Sequence, residues 1–433
     1  ARAAAVCGIT EAEVRGLALD YGRIGPAAIR LNYGMQRSHG GGNAVRAVAC
    51  LPALTGAWRH PAGGMLLSSS NMVPVTPASH VRPDLLPGGT QNPPRVINMV
   101  EIGDALLSAD PPVEAVVVYN ANPLAVAPDS EKVIRGFARE DLFTVVIEQF
   151  QTDTADYADY LLPATTQLEH FDVHKTYGHW YVLANQPAIA PLGQARSNSD
   201  IFRDLARRMG YTEPALAASD QEIASDAMNW SHPLAGEQAF ERMMSQGWIR
   251  MRHPDAPFAQ GSFPTPSGRC EFWSERLARQ GKDPLPDWLP NRESAAADPD
   301  LASRYPLAIL SPPARNFLNS TFVNVDSLRA SEKSPRCEIH PKDAAARGIS
   351  QGDLLRIFND RGSFLAEASV SDRVRPGVLV AWGLWWPKLV AGARNVNAVT
   401  GQALTDMGRG PTFYDCLVEV EVTTQASLPA TGA

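Results

Sequence analysis

Apolar and polar positions predict an α/β unit between residues 112 and 175. The runs 116–119 and 144–147 are continuous stretches of β-branched and aromatic residues, which is typical of strands buried on both faces of a parallel sheet. The stretch 129–140 between them carries its apolar residues on one stripe and charges elsewhere, so it predicts an amphipathic helix. Together these patterns predict a β-α-β unit.

Polar residues follow both predicted strands. Asn120, Asn122 and Pro123 come after the first strand, and Glu148 and Gln149 come after the second. Because ligands dock outside the carboxyl ends of strands in open α/β sheets, we expect the two tips to face one crevice. An acid and amides at such a tip suit a ribose or a purine edge, although ordinary turns would read the same way. Neither a G-x-G-x-x-G nor a P-loop motif occurs in this stretch, so no standard dinucleotide site is predicted.

The last third of the chain has a different pattern, in which short apolar runs alternate with turn residues. This spacing is typical of a β-barrel. The composition shifts at 291–300, so we predict an α/β portion over 1–300, a barrel over 301–425 and a disordered tail over 426–433. The predicted barrel strands are 307–310, 336–339, 354–359, 362–370, 378–382 and 417–422.

The first sixty residues predict a capped helix and a glycine-rich loop. Thr10 followed by Glu13 forms a capping box for a helix over 8–20. A short strand ending at Gly34 precedes the loop 37–43, where three glycines let the backbone approach a ligand and the following helix favours an anion at its amino end. Further expectations are core-facing Val14, Leu17, Ala18, Ile201, Phe202 and Leu205, a helix over 44–54, an extended connection over 73–112, strands over 178–184 and 269–273, and a helix over 198–209.

Composition narrows the class of protein. The chain has 433 residues, 44% of them hydrophobic, and a net charge of -7, which describes a globular protein with no basic surplus for a nucleic-acid backbone. Its five cysteines are scattered and none forms C-x-x-C, so neither an iron-sulfur cluster nor a disulfide framework is predicted. No apolar run is long enough to span a membrane. We expect a cytoplasmic location, or a periplasmic one if an upstream signal is removed.

Several motifs make the pattern specific. Three motifs resemble those of the molybdopterin oxidoreductases of the dimethyl sulfoxide reductase and formate dehydrogenase type. They are N-x-N-P after the first strand, T-x-T-A-x-Y-A-D-x-L-L-P-A-T-x-x-x-E after the second, and G-x-Q-R followed by G-G-x-x-x-R-A. The succession E-I-H-P-x-D-A, G-I-x-x-G-D, V-R-P-G-V and N-A-V-T resembles that family's carboxy-terminal molybdopterin-dinucleotide-binding barrel. The resemblance implies a Rossmann-like parallel-sheet layer followed by a double-psi β-barrel. Formate is disfavoured as substrate, because Gln36-Arg37-Ser38 replaces a T-Q-H-like run.

The resemblance also assigns roles to single residues. It places Gln36, Arg37 and His39 on the active-site side and no metal ligand in this chain. Contacts to the cofactor are implied for Asn120, Asn122, Pro123, Glu148, Gln149, Thr152, Thr154, Asp159, Asn319, Ser320, Thr321, Asn397, Thr400, Asp406 and Tyr414.

The implied cofactor is a bis(molybdopterin guanine dinucleotide) with molybdenum or tungsten, which moves an oxygen atom or a hydride equivalent to or from a small substrate. A [4Fe-4S] cluster is expected only in an amino-terminal region that would precede this carboxy-terminal portion. The implied partners are that amino-terminal half, without which the chain is expected to be inactive, and an iron-sulfur electron-transfer subunit. Two alternatives stay open: a non-catalytic scaffold subunit of the same fold, and an unrelated nucleotide-binding protein.

Overall fold

The computed structural model describes residues 1–69, 73–74, 81–86, 91–175 and 178–424. The predicted tail, 426–433, lies outside the described residues. The α-helices are α1 (Arg2–Cys7), α2 (Glu11–Arg23), α3 (Gly41–Thr55), α4 (Ile102–Ser108), α5 (Pro123–Val126), α6 (Ser130–Phe137), α7 (Asn198–Arg208), α8 (Asp220–Asp226), α9 (Ala239–Gln246), α10 (Glu275–Arg279), α11 (Pro299–Arg304), α12 (Asp326–Glu332) and α13 (Pro341–Ala346). The strands are β1 (Ala28–Arg30), β2 (Gly64–Leu66), β3 (Ala115–Tyr119), β4 (Phe143–Glu148), β5 (Tyr160–Pro163), β6 (Asp172–Lys175), β7 (Tyr181–Asn185), β8 (Trp248–Arg250), β9 (Leu307–Leu310), β10 (Arg336–Ile339), β11 (Leu354–Asn359), β12 (Gly362–Val370), β13 (Val378–Ala381) and β14 (Leu417–Val422).

The carboxy-terminal strands close into a six-stranded barrel. Its order is β10-β12-β11-β14-β9-β13, and β13 pairs back onto β10. Alternate residues point inward, and Leu355, Ile357 and Leu379 are fully buried in a core shared by all six strands. The prediction of a barrel is confirmed, and the strand bounds agree with the predicted ones except that β13 ends one residue earlier, at Ala381.

The predicted β-α-β unit is also confirmed. Strands β3, β4 and β5 form a parallel sheet in which Ala115 pairs with Phe143, and α6 connects β3 to β4. One face packs on α4 and α6 through a core that includes Val118 and Val133. The expectation that both strands are buried on both faces is wrong for β3, because Val117 is 49% exposed on the opposite face.

Other local expectations fail for identifiable reasons. Leu17 is 73% exposed, and α2 as a whole buries no residue. The capping box between Thr10 and Glu13 is present as predicted. Phe202 and Leu205 of α7 are also exposed rather than core. The stretch 269–273 forms bends and irregular structure instead of a strand, and α4 interrupts the connection predicted to be extended. An antiparallel sheet of β6, β7 and β8 was largely missed, since its strands are only three to five residues long.

Specific contacts join the α/β layer to the barrel. Glu131 at the start of α6 forms an ion pair with Arg394, and the Asp129 amide donates to the Thr400 carbonyl oxygen at 3.0 Å. Ahead of the barrel, Glu293 pairs with Arg361 through two hydrogen bonds of 2.7 and 2.9 Å. These contacts fix the loops of the barrel against the tips of the sheet.

Candidate functional site

A cleft of about 660 Å³ lies at the carboxyl ends of β3 and β4, and we call it the tip cleft. It is bordered by three of the predicted residues, Asn120, Glu148 and Gln149. The two strand ends therefore do face one crevice, because parallel strands present their carboxyl ends at the same edge of a sheet. The remaining wall comes from α7, α8 with the two residues after it, β7 and the segment 164–175.

The polar groups of the tip cleft include several acceptor oxygens. Asn120 has a left-handed backbone with φ 53°, and its Oδ1 accepts from Asn198 Nδ2 at 2.9 Å. The Oδ1 of Asn198 is buried without a hydrogen-bond partner among the described residues. Burial raises the pKa of Glu148, although its Oε1 accepts from the Gln149 amide at 2.7 Å. An unpaired buried oxygen beside a carboxylate is suited to a ligand that carries N–H donors.

A second cleft lies between the α/β layer and the barrel, and we call it the barrel cleft. The predicted residues Arg37, Asn319 and Asn397 line it together with Ser311 and Phe413. The Arg37 guanidinium carbon lies 5.6 Å from the Phe413 ring centroid, within cation–π range. This cleft therefore presents one cation, two side-chain amides and one hydroxyl group.

The short helix α5 (Pro123–Val126) stands between the two clefts. Asn120, just before α5, lines the tip cleft, whereas Val126 at its end lines the barrel cleft. The Ala125 carbonyl oxygen accepts from Nδ2 of both Asn395 and Asn397, each at 3.0 Å. Of the residues predicted to contact the cofactor, Asn120, Glu148 and Gln149 line the tip cleft, and Asn319 and Asn397 line the barrel cleft.

Several other predicted contacts are used inside the protein. The buried amide of Asn122 donates to Asp153 at 3.2 Å and accepts from the amide and hydroxyl of Thr154 at 3.2 and 2.8 Å. Thr152 Oγ1 accepts from the Ala155 amide, and Pro123 is buried at the start of α5. These residues shape the tip that carries Asn120 and do not line either cleft.

Asp159 lies at the other end of the sheet. Its carboxylate accepts from the Thr144 amide at 2.7 Å, where β4 and β5 begin. The structure therefore does not bring Asp159 to the tip cleft, because the start of a strand and its carboxyl end are on opposite edges. Its side chain holds the two strands in register.

The glycine-rich loop meets an anion of the protein itself. The Asp406 carboxylate accepts from the amides of Gly42 at 2.8 Å and Asn43 at 3.0 Å, in the first turn of α3. A Cβ at Gly42 would lie 2.8 Å from Asp406 Oδ1, so glycine permits this approach. The expectation that this helix end receives a ligand is corrected here, since a carboxylate from the barrel already occupies it.

The remaining predicted residues lie around the barrel cleft without bordering it. The His39 amide donates to Asp415 at 3.0 Å, and Gln36 ends a 3-10 helix beside it. The Tyr414 amide donates to the Arg37 carbonyl oxygen. The other predicted positions are Thr400, which donates to Asn397 Oδ1, Ser320, whose carbonyl accepts from Trp386, and the exposed Thr321.

Residues of α7 and of the segment after β5 line the tip cleft but are not among the predicted cofactor contacts. Asn198, Ser199 and Phe202 reach the tip cleft from the first turns of α7, beside Thr165 and His170. The sequence did carry a signal for Asn198, because Ser197 is a typical N-cap residue and places Asn198 in the first turn of the helix.

Two family models match the chain. The model described as Molybdopterin oxidoreductase matches residues 25–208, and the one described as Molydopterin dinucleotide binding domain matches residues 307–417, which includes the barrel strands β9 to β13. The chain belongs to the molybdopterin oxidoreductase family. The resemblance found in its motifs is confirmed, and a molybdopterin dinucleotide is the class of cofactor that the barrel's family model names.

Relatives of this molybdopterin oxidoreductase chain include probable oxidoreductase YoaE of Bacillus subtilis, 38% identical over 96% of the chain and 59% of the relative. The dimethyl sulfoxide/trimethylamine N-oxide reductase of Cereibacter sphaeroides is 30% identical over 89% of the chain and 52% of the relative. The chain thus spans between half and three-fifths of the length of these curated relatives. Acetylene hydratase from Pelobacter acetylenicus has the same fold, with a TM-score of 0.74, 21% identity, and coverage of 96% of this chain and 63% of that one.

Two features are absent from the described part of this molybdopterin oxidoreductase chain. Among those residues, no group of three or more His, Cys, Asp and Glu side chains is placed to hold a metal ion. No helix found there combines the length and the apolar character needed to cross a bilayer.

Proposed function

We propose that this chain contributes the guanosine-binding tips and the dinucleotide-binding barrel of a bis(molybdopterin guanine dinucleotide)-dependent oxidoreductase. The single observation that carries the proposal is the set of acceptors in the tip cleft. Glu148 offers a half-buried carboxylate, and Asn198 offers a buried oxygen with no partner among the described residues. A guanine edge presents N1–H and N2–H donors that a carboxylate and an amide oxygen can accept, whereas adenine has no N1–H.

The tip cleft has room for the guanosine end of such a cofactor, whereas the barrel cleft, at about 50 Å³, offers only side-chain groups that suit a phosphate. In the tip cleft, Asn120, Glu148 and Asn198 would hold the base and the ribose. In the barrel cleft, Arg37 supplies a positive charge for a phosphate, and Asn319 supplies amide hydrogen bonds. When bound, the metal-carrying cofactor supplies two-electron oxygen-atom or hydride-equivalent transfer on a small substrate.

The chain's own groups position the cofactor. The left-handed turn at Asn120 directs its amide along the cleft, and the internal hydrogen bonds of Asn122 keep that turn fixed. Arg37 is held beside Phe413 and Tyr414, so its guanidinium stays at the barrel cleft. Gln36 and His39, one residue before and two after Arg37, are proposed to face the substrate side of the complete enzyme.

Guanosine monophosphate tests the tip cleft directly by isothermal titration calorimetry. We expect it to bind more tightly than adenosine monophosphate, and Glu148→Gln to weaken guanosine monophosphate by about tenfold, because one paired acceptor is worth about 1–3 kcal/mol. Glu140→Gln, at an exposed residue after α6, is the control and is expected to change nothing. Binding should weaken on acidification through the raised pKa of Glu148, since protonation removes an acceptor. Equal affinity for the two nucleotides would refute the assignment.

The scaffold alternative keeps one specific observation in its favour. The side-chain amides of Asn122, Asn395 and Asn397 donate hydrogen bonds within the protein, as expected of groups that only shape the fold. Elemental analysis for molybdenum and tungsten, with pterin fluorescence, on the native complex decides between the two. A native complex free of both metals and of pterin would refute the enzyme.

We further propose that the domain boundary lies near residue 300, where α11 leads into the barrel, and that the barrel is of the double-psi type. Its parallel pairs β10–β12 and β9–β13 within an otherwise antiparallel closed sheet support this. An iron-sulfur electron-transfer subunit is the proposed redox partner. One relative, from Halobacterium salinarum, is named for the catalytic subunit of a dimethyl sulfoxide reductase, and that wording is consistent with such a partner.

A further inference from the structure

The segment 258–289 lies along helix α3 and is held at both ends of it. The Phe258 ring contacts Trp58, three residues after the carboxyl end of α3, with ring centroids 5.3 Å apart. At the other end, Leu289 lies beside Gly40, the N-cap of α3, where an added Cβ would be 2.8 Å from the Leu289 Cβ. The segment therefore starts at the carboxyl end of the helix and finishes at its amino end.

Two cysteines, Cys50 of α3 and Cys270 of this segment, come together between those contacts. Cys50 follows Arg46 by four residues, so the two side chains lie on the same face of the helix, one turn apart. The Arg46 guanidinium donates to the Phe272 carbonyl oxygen at 3.3 Å, and Cys270 is two residues before Phe272. The segment thus reaches Cys270 where it passes the next turn of α3 towards the carboxyl end, which is the turn that carries Cys50.

The two thiols also interact electrostatically. Burial raises the pKa of Cys50, and the negative charge of the Cys270 thiolate raises it further, against the lowering by Arg46. Burial likewise raises the pKa of Cys270. Both side chains are only half-buried, whereas Cys337 and Cys416 are buried in the barrel core. A small oxidant can therefore reach Cys50 and Cys270 but not the two cysteines of the barrel.

We propose that Cys50 and Cys270 form a reversible disulfide, which ties the segment 258–289 to α3 when the protein meets a low-molecular-weight disulfide such as oxidised glutathione. Two S–H bonds break and one S–S bond forms between the cysteines, which lose two protons and two electrons. The electrons open the S–S bond of the oxidant, and its two sulfurs take up the protons as thiols. This modification site does not depend on the cofactor.

The bridge joins two parts of the chain that meet again at the glycine-rich loop. This loop leads directly into α3, and its His39 ring has Nδ1 3.3 Å from the carbonyl oxygen of Pro290, the residue after the segment. The amides of His39 and Arg292 also donate to the same Asp415 carboxylate, at 3.0 and 3.1 Å. Oxidation would therefore add a covalent link to a contact that hydrogen bonds alone hold in the reduced protein.

Peptide mapping of the protein purified with its natural partners tests the bridge. After incubation with oxidised glutathione and digestion without reductant, we expect one cross-linked peptide pair that joins Cys50 to Cys270. Its mass should be lower than that of the two free peptides by two hydrogen atoms, and dithiothreitol should separate it. Cys7→Ser, at an exposed cysteine, is the control and should keep the bridge. Glutathione adducts without a bridge, bridges to Cys7, or unmodified thiols would overturn the proposal.

Trypsin supplies a second measurement. The bond after Arg269, an exposed residue next to Cys270, should be cut roughly tenfold more slowly in the oxidised protein, because the bridge restricts the local opening that cleavage requires. The bond after Arg208, exposed at the end of α7, is the control and should be cut at one rate in both states. Cys50→Ser should lose the protection. Equal cleavage after Arg269 in both states, or protection that persists in Cys50→Ser, would also overturn the proposal.

Discussion

The barrel and the sheet β3-β4-β5 are both built from short apolar strands, but only the barrel completes its own hydrogen bonding. Its six strands close on themselves, and their inward residues, such as Ile357, are fully buried. The parallel sheet ends at β3, which pairs only with β4 among the described strands, and it leaves Val117 half exposed. A closed sheet needs nothing beyond its own segment, whereas an open parallel sheet depends on what packs against it.

The largest difference should appear in stability when one apolar side chain is shortened in each region. Ile357→Ala in the barrel is expected to lower the free energy of unfolding by about 2–5 kcal/mol, because it leaves a cavity. Val117→Ala on the sheet should stay within about 0.5 kcal/mol, since little area is buried there. Urea denaturation measures both. Comparable losses would mean that the face of the sheet that carries Val117 is already covered in solution.

Next in size is the ion pair that ties the segment before the barrel to the barrel wall. Arg361 and Glu293 are 24% and 16% exposed, and Arg361→Met should cost about 2 kcal/mol, between the values for surface and fully buried pairs. The control is Arg304→Met, because its pair with Asp360 is 55% and 58% exposed and is worth about 0–1 kcal/mol. If the two variants unfold at the same urea concentration, the Glu293 pair does not join the two regions.

A smaller effect is expected where the barrel caps a helix of the α/β portion. Asp406→Ala removes the acceptor for two amides at the start of α3 and should lower the free energy of unfolding by about 1 kcal/mol. Asp372→Ala, at an exposed acid of the barrel, serves as control. Hydrogen exchange at the first turn of α3 reports the site of the loss. Unaltered exchange there would contradict the assigned role.

The smallest effect concerns pH. Burial raises the pKa of Asp415, against the lowering by the amides of Arg292 and His39. The folded state therefore holds this proton more tightly than the unfolded chain, so the stabilisation is present at low pH and is lost as pH rises through the raised pKa. Asp415→Asn should gain stability relative to the parent as pH rises above about 4, the ordinary pKa of an aspartate. A difference that does not change with pH would show that Asp415 ionises as freely as in the unfolded chain.

Sequence patterns predicted the barrel better than the α/β portion for a physical reason. In the barrel, inward and outward positions alternate and turns separate the strands, so bounds such as 354–359 follow from local residues alone. In the α/β portion, Leu17 and Phe202 have the spacing of core residues but remain exposed, because their burial would depend on a packing surface that a local pattern does not describe.

The candidate site was predicted in the same uneven way. Asn120, Glu148 and Gln149 line the tip cleft as expected, because strand ends are legible in the sequence. Asn198 was missed, since its approach to Asn120 joins positions far apart in the chain. The hydrogen bonds from the start of α3 to the Asp406 carboxylate could not be predicted from either segment alone.

The carbonyl of Ala125 has a consequence for the length of any ligand shared by the two clefts. Two amides from one barrel loop meet this single oxygen, so the barrel and the end of α5 are clamped at a set spacing. This helix therefore fixes the distance between the two clefts. Molecules shorter than that span can occupy one side at a time, and only a long one can engage both sides together.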